Sequence, residues 1–199
     1  MTTTPLPCPV AALVLAAGYS RRFGGDKRKA RWAPERSLLA ASLDLPCTAL
    51  GEVWVVIRPD ERPGDLALPE DVQVLQDALT LHGMGHSIAA GARHLLQCSG
   101  ADALAIFLGD MPAIQASTLE ALLAEAAPGR IVLPSHEGRP GHPVIFGRDF
   151  WPQLTQLSGD AGARTILQDN SEAVRRIQVD DPGVLQDIDQ PEDLPNVGA

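Results

Sequence analysis

This chain of 199 residues has little with which to grip a polyanion, cross-link itself or enter a membrane. Lys and Arg number 16 against 25 Asp and Glu, a formal net charge of −9, which argues against a nucleic-acid surface or an anionic-membrane ligand. The three cysteines, Cys8, Cys47 and Cys98, are scattered and form no C-x-x-C pair. Neither a zinc site nor a disulfide framework is indicated, and a reduced, cytoplasmic compartment fits. No run approaches the ~18 apolar residues of a membrane helix. The opening MTTTPLPCPV lacks the charged start and apolar centre of a signal peptide, so residues 1–9 are expected to form a frayed leader. Internal repeats, low-complexity tracts, a Walker loop and a G-x-G-x-x-G turn are missing as well.

What is present is an ordinary globular composition, 45% hydrophobic and 21% charged, long enough to bury a sizeable core. One domain over 1–199 is expected. Strand candidates fall at 10–18, 53–59, 72–75, 101–110, 130–134, 143–147 and 174–180. Helical spacing joins Ile88, Ala92, Leu95 and Leu96 on one face and Leu119, Leu122, Leu123 and Ala126 on another. Further helices are expected near 37–45, 148–157 and 162–169, and Pro and Gly near 59–69 and 134–143 suggest exposed loops. The runs at 10–18 and 101–109 are apolar nearly throughout, as strands buried on both faces are. The pattern predicts an α/β fold, a mostly parallel sheet covered by helices.

In such sheets ligands sit beyond the carboxyl ends of the strands. Strand 10–17 runs there into Gly18, where a tight turn lets backbone N–H groups approach a phosphate. Residues 21–31 then hold Arg21, Arg22, Lys27, Arg28, Lys29 and Arg31 against Asp26 alone, so this stretch is +5 and the rest of the chain −14. Such local charge suits a small polyanion in a cleft; a solvated loop is the alternative. Asp110 ends a strongly apolar strand before Met111 and Pro112. Its carboxylate either holds a hard Mg²⁺ beside phosphate oxygens or opens a turn. Asp187 and Asp189 share one side if their segment is extended. Taken locally, Asp189 would cap the short helix that Pro191 could start. Ser87 falls near the N-cap of a helix entered through a Gly-rich loop. His142, between Gly141 and Pro143, heads a strand, and Gly159 to Arg164 reads as a turn into a helix N-terminus, which favours an anion.

The pattern Leu15, Ala16, Ala17, Gly18, Ser20, Arg22, Phe23, Gly24 and Lys27 resembles the signature loop of nucleotidyltransferases that join a nucleoside triphosphate to a phosphorylated small molecule. With GMGHS (83–87), LGDMP (108–112), GHPVIF (141–146), SGDAGAR (158–164) and DIDQPEDL (187–194) in order, the chain is most similar to the molybdenum cofactor nucleotidyltransferases, particularly their cytidylyltransferase branch. That resemblance implies a three-layer domain related to the Rossmann type, in the nucleotide-diphospho-sugar transferase superfamily. It implies Arg22 and Lys27 on the triphosphate, Leu15 to Gly18, Gly83 and Ser87 at the nucleotide, and Asp110 and Asp189 on Mg²⁺. His142 and Arg164 fall to the acceptor. Arg21, Arg28, Lys29 and Arg31 lie outside the motif and are expected to be field-supplying surface residues. Ala17, and the absence of Pro after Gly83 or Gly85, fit the CTP branch rather than guanylyl relatives, although UTP-using relatives also carry L-A-A-G. After Lys27, RKARWAPERSLLAASL departs from the apolar stretch usual in the branch. The expected reaction is attack by a phosphate of molybdopterin, or of its molybdenum-bound form, on the α-phosphorus of CTP with release of pyrophosphate. Transient contact with a molybdoenzyme or its chaperone would follow. The alternatives are transfer to a sugar or polyol phosphate from CTP or UTP, and a non-catalytic cofactor-binding chaperone.

Overall fold

A computed structural model of the protein describes residues 8–20 and 22–195. Each expected strand forms, several trimmed at their ends: β1 (Val10–Leu15), β4 (Val53–Ile57), β5 (Gln73–Gln76), β6 (Ala103–Leu108), β7 (Ile131–His136), β9 (Val144–Gly147) and β10 (Val174–Gln178). Two short pieces, β2 (Arg31–Ala33) and β3 (Arg36–Ser37), make a separate hairpin, and β8 (Arg139–Pro140) folds back on β7. The region near 134–143 is exposed only at its tip, 137–140, while Pro134 and Ser135 are buried within β7. The helices are α1 (Leu38–Ala49), α2 (Met84–Cys98), α3 (Ala116–Ala124), α4 (Trp151–Leu154) and α5 (Arg164–Asp169).

The main sheet runs β10-β7-β9-β6-β1-β4-β5, all parallel except β9, which lies antiparallel to both β6 and β7. Alternation along β1 explains the layering. Val10, Ala12 and Val14 pack with Leu39 and Leu43 of α1 and Leu119 and Leu122 of α3. Ala11 and Leu13 face the other way, onto Ile88, Ala92 and Leu95 of α2 and Trp151 of α4. The protein is thus a single three-layer α/β domain with a mixed, mostly parallel sheet.

Two details place the site. The chain leaves β1 for β4 on one side and later returns as β6 on the other, so the carboxyl ends of β1 and β6 flank a crevice at the switch point. Helix α2 lies against β1 at Gly91, where a Cβ would come within 2.7 Å of Leu13 Cδ1. Glycine there leaves room for the Leu13 side chain in that approach, and the start of α2 lines the crevice.

Cys8 and Pro9 correct part of the expected leader. Cys8 is buried in the core, and the Pro9 carbonyl accepts from the Asp102 and Ala103 N–H groups at 2.8 and 3.2 Å. Pairing with the N-terminal end of β6 fixes them; residues 1–7 of that leader, like Arg21, lie outside the described residues.

Candidate active site

Beyond β1 and β6 lies a cleft of about 660 Å³, walled by Leu15 to Ser20 on one side, Leu108 to Asp110 on another, and Thr80 to Met84 across from them. Arg22, Lys27, Arg28, Ser87, Asp160, Asp187 and Asp189 complete it. The nucleotide-side residues expected from sequence, Leu15, Ala16, Ala17, Gly18, Arg22, Lys27, Gly83 and Ser87, therefore share one cleft with Asp110 and Asp189.

Lys27 is its electrostatic centre. The Nζ donates to Asp110 Oδ2 at 2.7 Å, to Asp189 Oδ1 at 3.1 Å and to the Ile188 carbonyl at 2.7 Å, with its side chain only 13% exposed. Burial alone would lower its pKa, but Asp110 and then Asp189 hold the ammonium above its ordinary value. Burial pushes the Asp110 carboxyl up; Lys27 opposes this, while Asp187 and Asp189 add to it. Arg22 reaches Asp189 Oδ2 at 3.0 Å from the surface, its side chain 77% exposed. Such an exposed pair holds the guanidinium only loosely.

The structure bears on the local alternatives for the two aspartates, and Asp110 does stand in a turn. Asp189 does not cap the helix after it: Gln190 is the cap, and Asp193 Oδ2 accepts from the Asp189 and Gln190 N–H groups. Asp110 puts its carboxylate on Lys27, and its Oδ1 is buried without a partner. The Ser20 hydroxyl, in another wall of the same cleft, is also buried and unpaired. Buried polar atoms of a folded protein are nearly all satisfied, so orphans at a cleft wall mark a place for a ligand.

Two carboxylates converging on one cation, one with a free oxygen, fit a hard divalent ion. Among the described residues no group of three or more His, Cys, Asp or Glu could hold a metal alone. An ion here would complete its shell with phosphate oxygens and water, as Mg²⁺ does in triphosphate sites.

Ser87 departs from expectation. The N-cap of α2 is Gly83, at φ +120°, and Ser87 lies a turn inside the helix, buried, its hydroxyl donating to the Gly83 carbonyl at 3.4 Å. The helix starts early because Gly83 adopts a backbone that other residues resist. A Cβ there would also strike Asp160 and come within 2.7 Å of the Gly159 carbonyl. Here the loop meets the 158–160 turn: the Gly85 N–H donates to the Gly159 carbonyl at 2.8 Å, and the Gly159 N–H to His86 Nδ1 at 3.1 Å. Gly83→Ala is therefore expected to lose about 1–3 kcal/mol of stability, from strained backbone and overpacking together. Urea denaturation checks this.

A second cavity of about 330 Å³ adjoins the first across Leu15, Met84, Leu108 and Asp160. Its floor is apolar, with Ile88, Ile106, Leu133, Val144 and Phe146, and its polar groups include His142 and Arg164. Burial holds the His142 ring below its usual pKa, against the pull of the Ile106 backbone, Asp110 and Asp187, and leaves Nδ1 without a partner. Arg164 is exposed at the first turn of α5.

Arg28 is the clearest correction. Expected at the surface, it is 3% exposed and bound to Asp26, Glu61 and the Ala16 carbonyl. Its carboxylate partner Glu61 and neighbour Arg58 went unnoticed, since nothing local in sequence ties residue 28 to residue 61. Lys29 and Arg31 are exposed as expected.

A crevice at the switch point lined by cations and carboxylates, with a second cavity adjoining it, fits a nucleotidyltransferase. The comparisons agree and narrow it: residues 12–175 match the MobA-like NTP transferase domain, and the chain belongs to that family. It is 32% identical over 191 residues to the purine catabolism protein PucB of Bacillus subtilis, covering 90% of this chain and 91% of that one. It is 28% identical over 206 residues to the nicotine blue oxidoreductase of Paenarthrobacter nicotinovorans, covering 98% of each. Among solved structures, Rv0371c of Mycobacterium tuberculosis shares the fold with a TM-score of 0.79 at 23% identity, over 94% of this chain and 95% of that one. A structure of Rv0371c in complex with manganese has also been solved.

Proposed function

We propose that the protein transfers CMP from CTP to the phosphate of a molybdopterin-type acceptor and releases pyrophosphate. The observation that carries the reading is the pair of orphaned oxygens, Ser20 Oγ and Asp110 Oδ1, in a cleft whose carboxylates already share a cation. An acceptor phosphate oxygen attacks the α-phosphorus, the new P–O bond forms, and the bond to the β-phosphate oxygen breaks in line. Little of this needs covalent help from the chain; positioning and charge carry it. Arg22 and Lys27 hold the triphosphate, the first as a mobile fork at the mouth and the second as a buried point charge. Asp110 and Asp189 hold Mg²⁺, which neutralises charge developing on the phosphates.

The acceptor phosphate is ionised near neutral pH and needs no strong base, so a His142 ring held neutral by burial suits recognition rather than proton transfer. The apolar floor of the second cavity supports a ring-bearing acceptor over a sugar or polyol phosphate. Arg164 at its rim supplies positive charge for the acceptor. The three unpaired cysteines suit the reducing cytoplasm, where the product would pass to a molybdoenzyme or its chaperone.

Pyrophosphate release from purified protein with Mg²⁺, molybdopterin and each of CTP, UTP, GTP and ATP tests this. CTP should give the highest kcat/KM. GTP as good as CTP overturns the cytidylyl assignment and leaves nucleotidyl transfer standing. Release with a sugar phosphate but not with molybdopterin transfers the acceptor assignment.

A further inference from the structure

Three charged side chains behind the phosphate loop have no part in the reaction above. Arg28 donates through Nε and Nη2 to Asp26 at 2.8 and 2.7 Å, through Nη1 and Nη2 to Glu61, and through Nη1 to the Ala16 carbonyl at 2.7 Å. Arg58, just beyond β4, donates to Glu61 Oε1 at 3.1 Å and to the Gly18 carbonyl, with its guanidinium 4.5 Å above the Tyr19 ring. Glu61 also accepts from the Arg58 N–H at 3.1 Å, so one carboxylate holds both arginines. Burial would raise the Glu61 carboxyl, but Arg28 holds it below its ordinary value; the Arg28 guanidinium, in return, is raised. The cluster stays ionised at neutral pH.

Its effect falls on the direction of two peptides. In a trans peptide the C=O and the following N–H point opposite ways, and the only cis bond among the described residues is His142–Pro143. With the Ala16 and Gly18 carbonyls drawn to the arginines, the N–H groups of Ala17 and Tyr19 turn away from them. Neither N–H has a protein acceptor among the described residues, and both residues line the cleft. Successive N–H groups presented this way form an anion-binding concavity. We propose that Arg28, Arg58 and Glu61 are positioning residues that aim the Ala17 and Tyr19 amides at the triphosphate. Arg58 and Glu61 stand behind the loop, and Arg28, which also lines the cleft, acts through its grip on the Ala16 carbonyl.

The inference rests on the assignment of this loop to the triphosphate, and NMR of the ¹⁵N-labelled full chain titrated with inorganic tripolyphosphate separates the two. In the wild type, the Ala17 and Tyr19 amide resonances should move downfield as the anion binds. Glu61→Gln should weaken tripolyphosphate about 10-fold or more, the loss of one well-aimed hydrogen bond to a charged group, and abolish both shifts. Glu61→Asp should restore part of each. Arg58→Met removes the grip on Gly18, with the Arg58 contacts to Glu61 and Tyr19, but leaves Arg28 on the Ala16 carbonyl, so it should lose the Tyr19 shift and keep that of Ala17, an outcome that general loosening would not produce. If the wild-type loop ignores tripolyphosphate, the loop assignment and the clamp fall together. If the loop responds but these two amides stay still, or Arg58→Met keeps both shifts, the clamp alone is overturned.

Discussion

Asp110→Asn should lower kcat/KM by on the order of 10²-fold or more, the scale of removing one preorganised electrostatic group from a transition state, while the protein melts close to the wild type. The two halves of that expectation have separate causes. An amide keeps the shape of the carboxylate but lacks the charge that holds a hard cation. Stability is spared because the carboxylate is costly where it stands: burial raises its pKa, and Oδ1 lacks a partner. Asparagine removes that cost and loses the Lys27 ion pair, and the two changes oppose each other. A net difference below 1 kcal/mol moves the melting temperature of a domain this size by roughly 2–4 °C at most. Excess Mg²⁺ or Mn²⁺ should recover part of the activity. Asp187→Asn should be milder, since Asp187 makes no bond to Lys27. Pyrophosphate release at limiting Mg²⁺, alongside a thermal melt, measures both halves; wild-type turnover in Asp110→Asn removes the metal role.

Lys27→Met should be as damaging for a different reason. The ammonium is the one group bonded to Asp110, Asp189 and the Ile188 carbonyl together. Without it, Asp110 faces the incoming triphosphate with no counter-charge and Asp189 keeps only the exposed Arg22. The nucleotide would then be repelled where it should be gathered. We expect a fall of about 10²-fold or more in kcat/KM, expressed mainly as a raised KM for the nucleotide. Lys27→Arg should keep the charge but misplace it, since a planar fork cannot replace a point donor shared among three oxygens. Steady-state kinetics with varied nucleotide separates these outcomes. A Lys27→Met enzyme within threefold of the wild type would reduce Lys27 to a structural counter-ion.

The sheet was legible because β1 and β6 are apolar on both faces and the flanking helices show clean 3.6-residue spacing. Element ends were less so. Helix α1 was expected to stop before Pro46 yet continues to Ala49, because burial of Leu38, Leu39 and Leu43 outweighs one lost backbone bond. The hairpin of β2 and β3 is too short to show a period. Lys27, Asp110 and Asp189 could be read from sequence because each stands at the end of an apolar run or in a recognisable pattern. Arg28 could not: a solvated arginine and one gripped by Glu61, 33 residues away, look alike along the chain. Ser87 was placed too near the helix start because the signal that begins α2 is the backbone of Gly83, not a hydroxyl.

The stitching of the 83–86 loop to the 158–160 turn bears on how new specificities can arise. The Gly85 and Gly159 N–H groups each bond across the seam, and Gly83 leaves no room for a side chain between the two segments. Met84 and Asp160, one from each side of the seam, line both cavities. A chimaera that imports only the 158–160 turn from a relative would bring a surface cut for a different counterpart. The two loops are therefore one unit of inheritance, exchanged together or not at all.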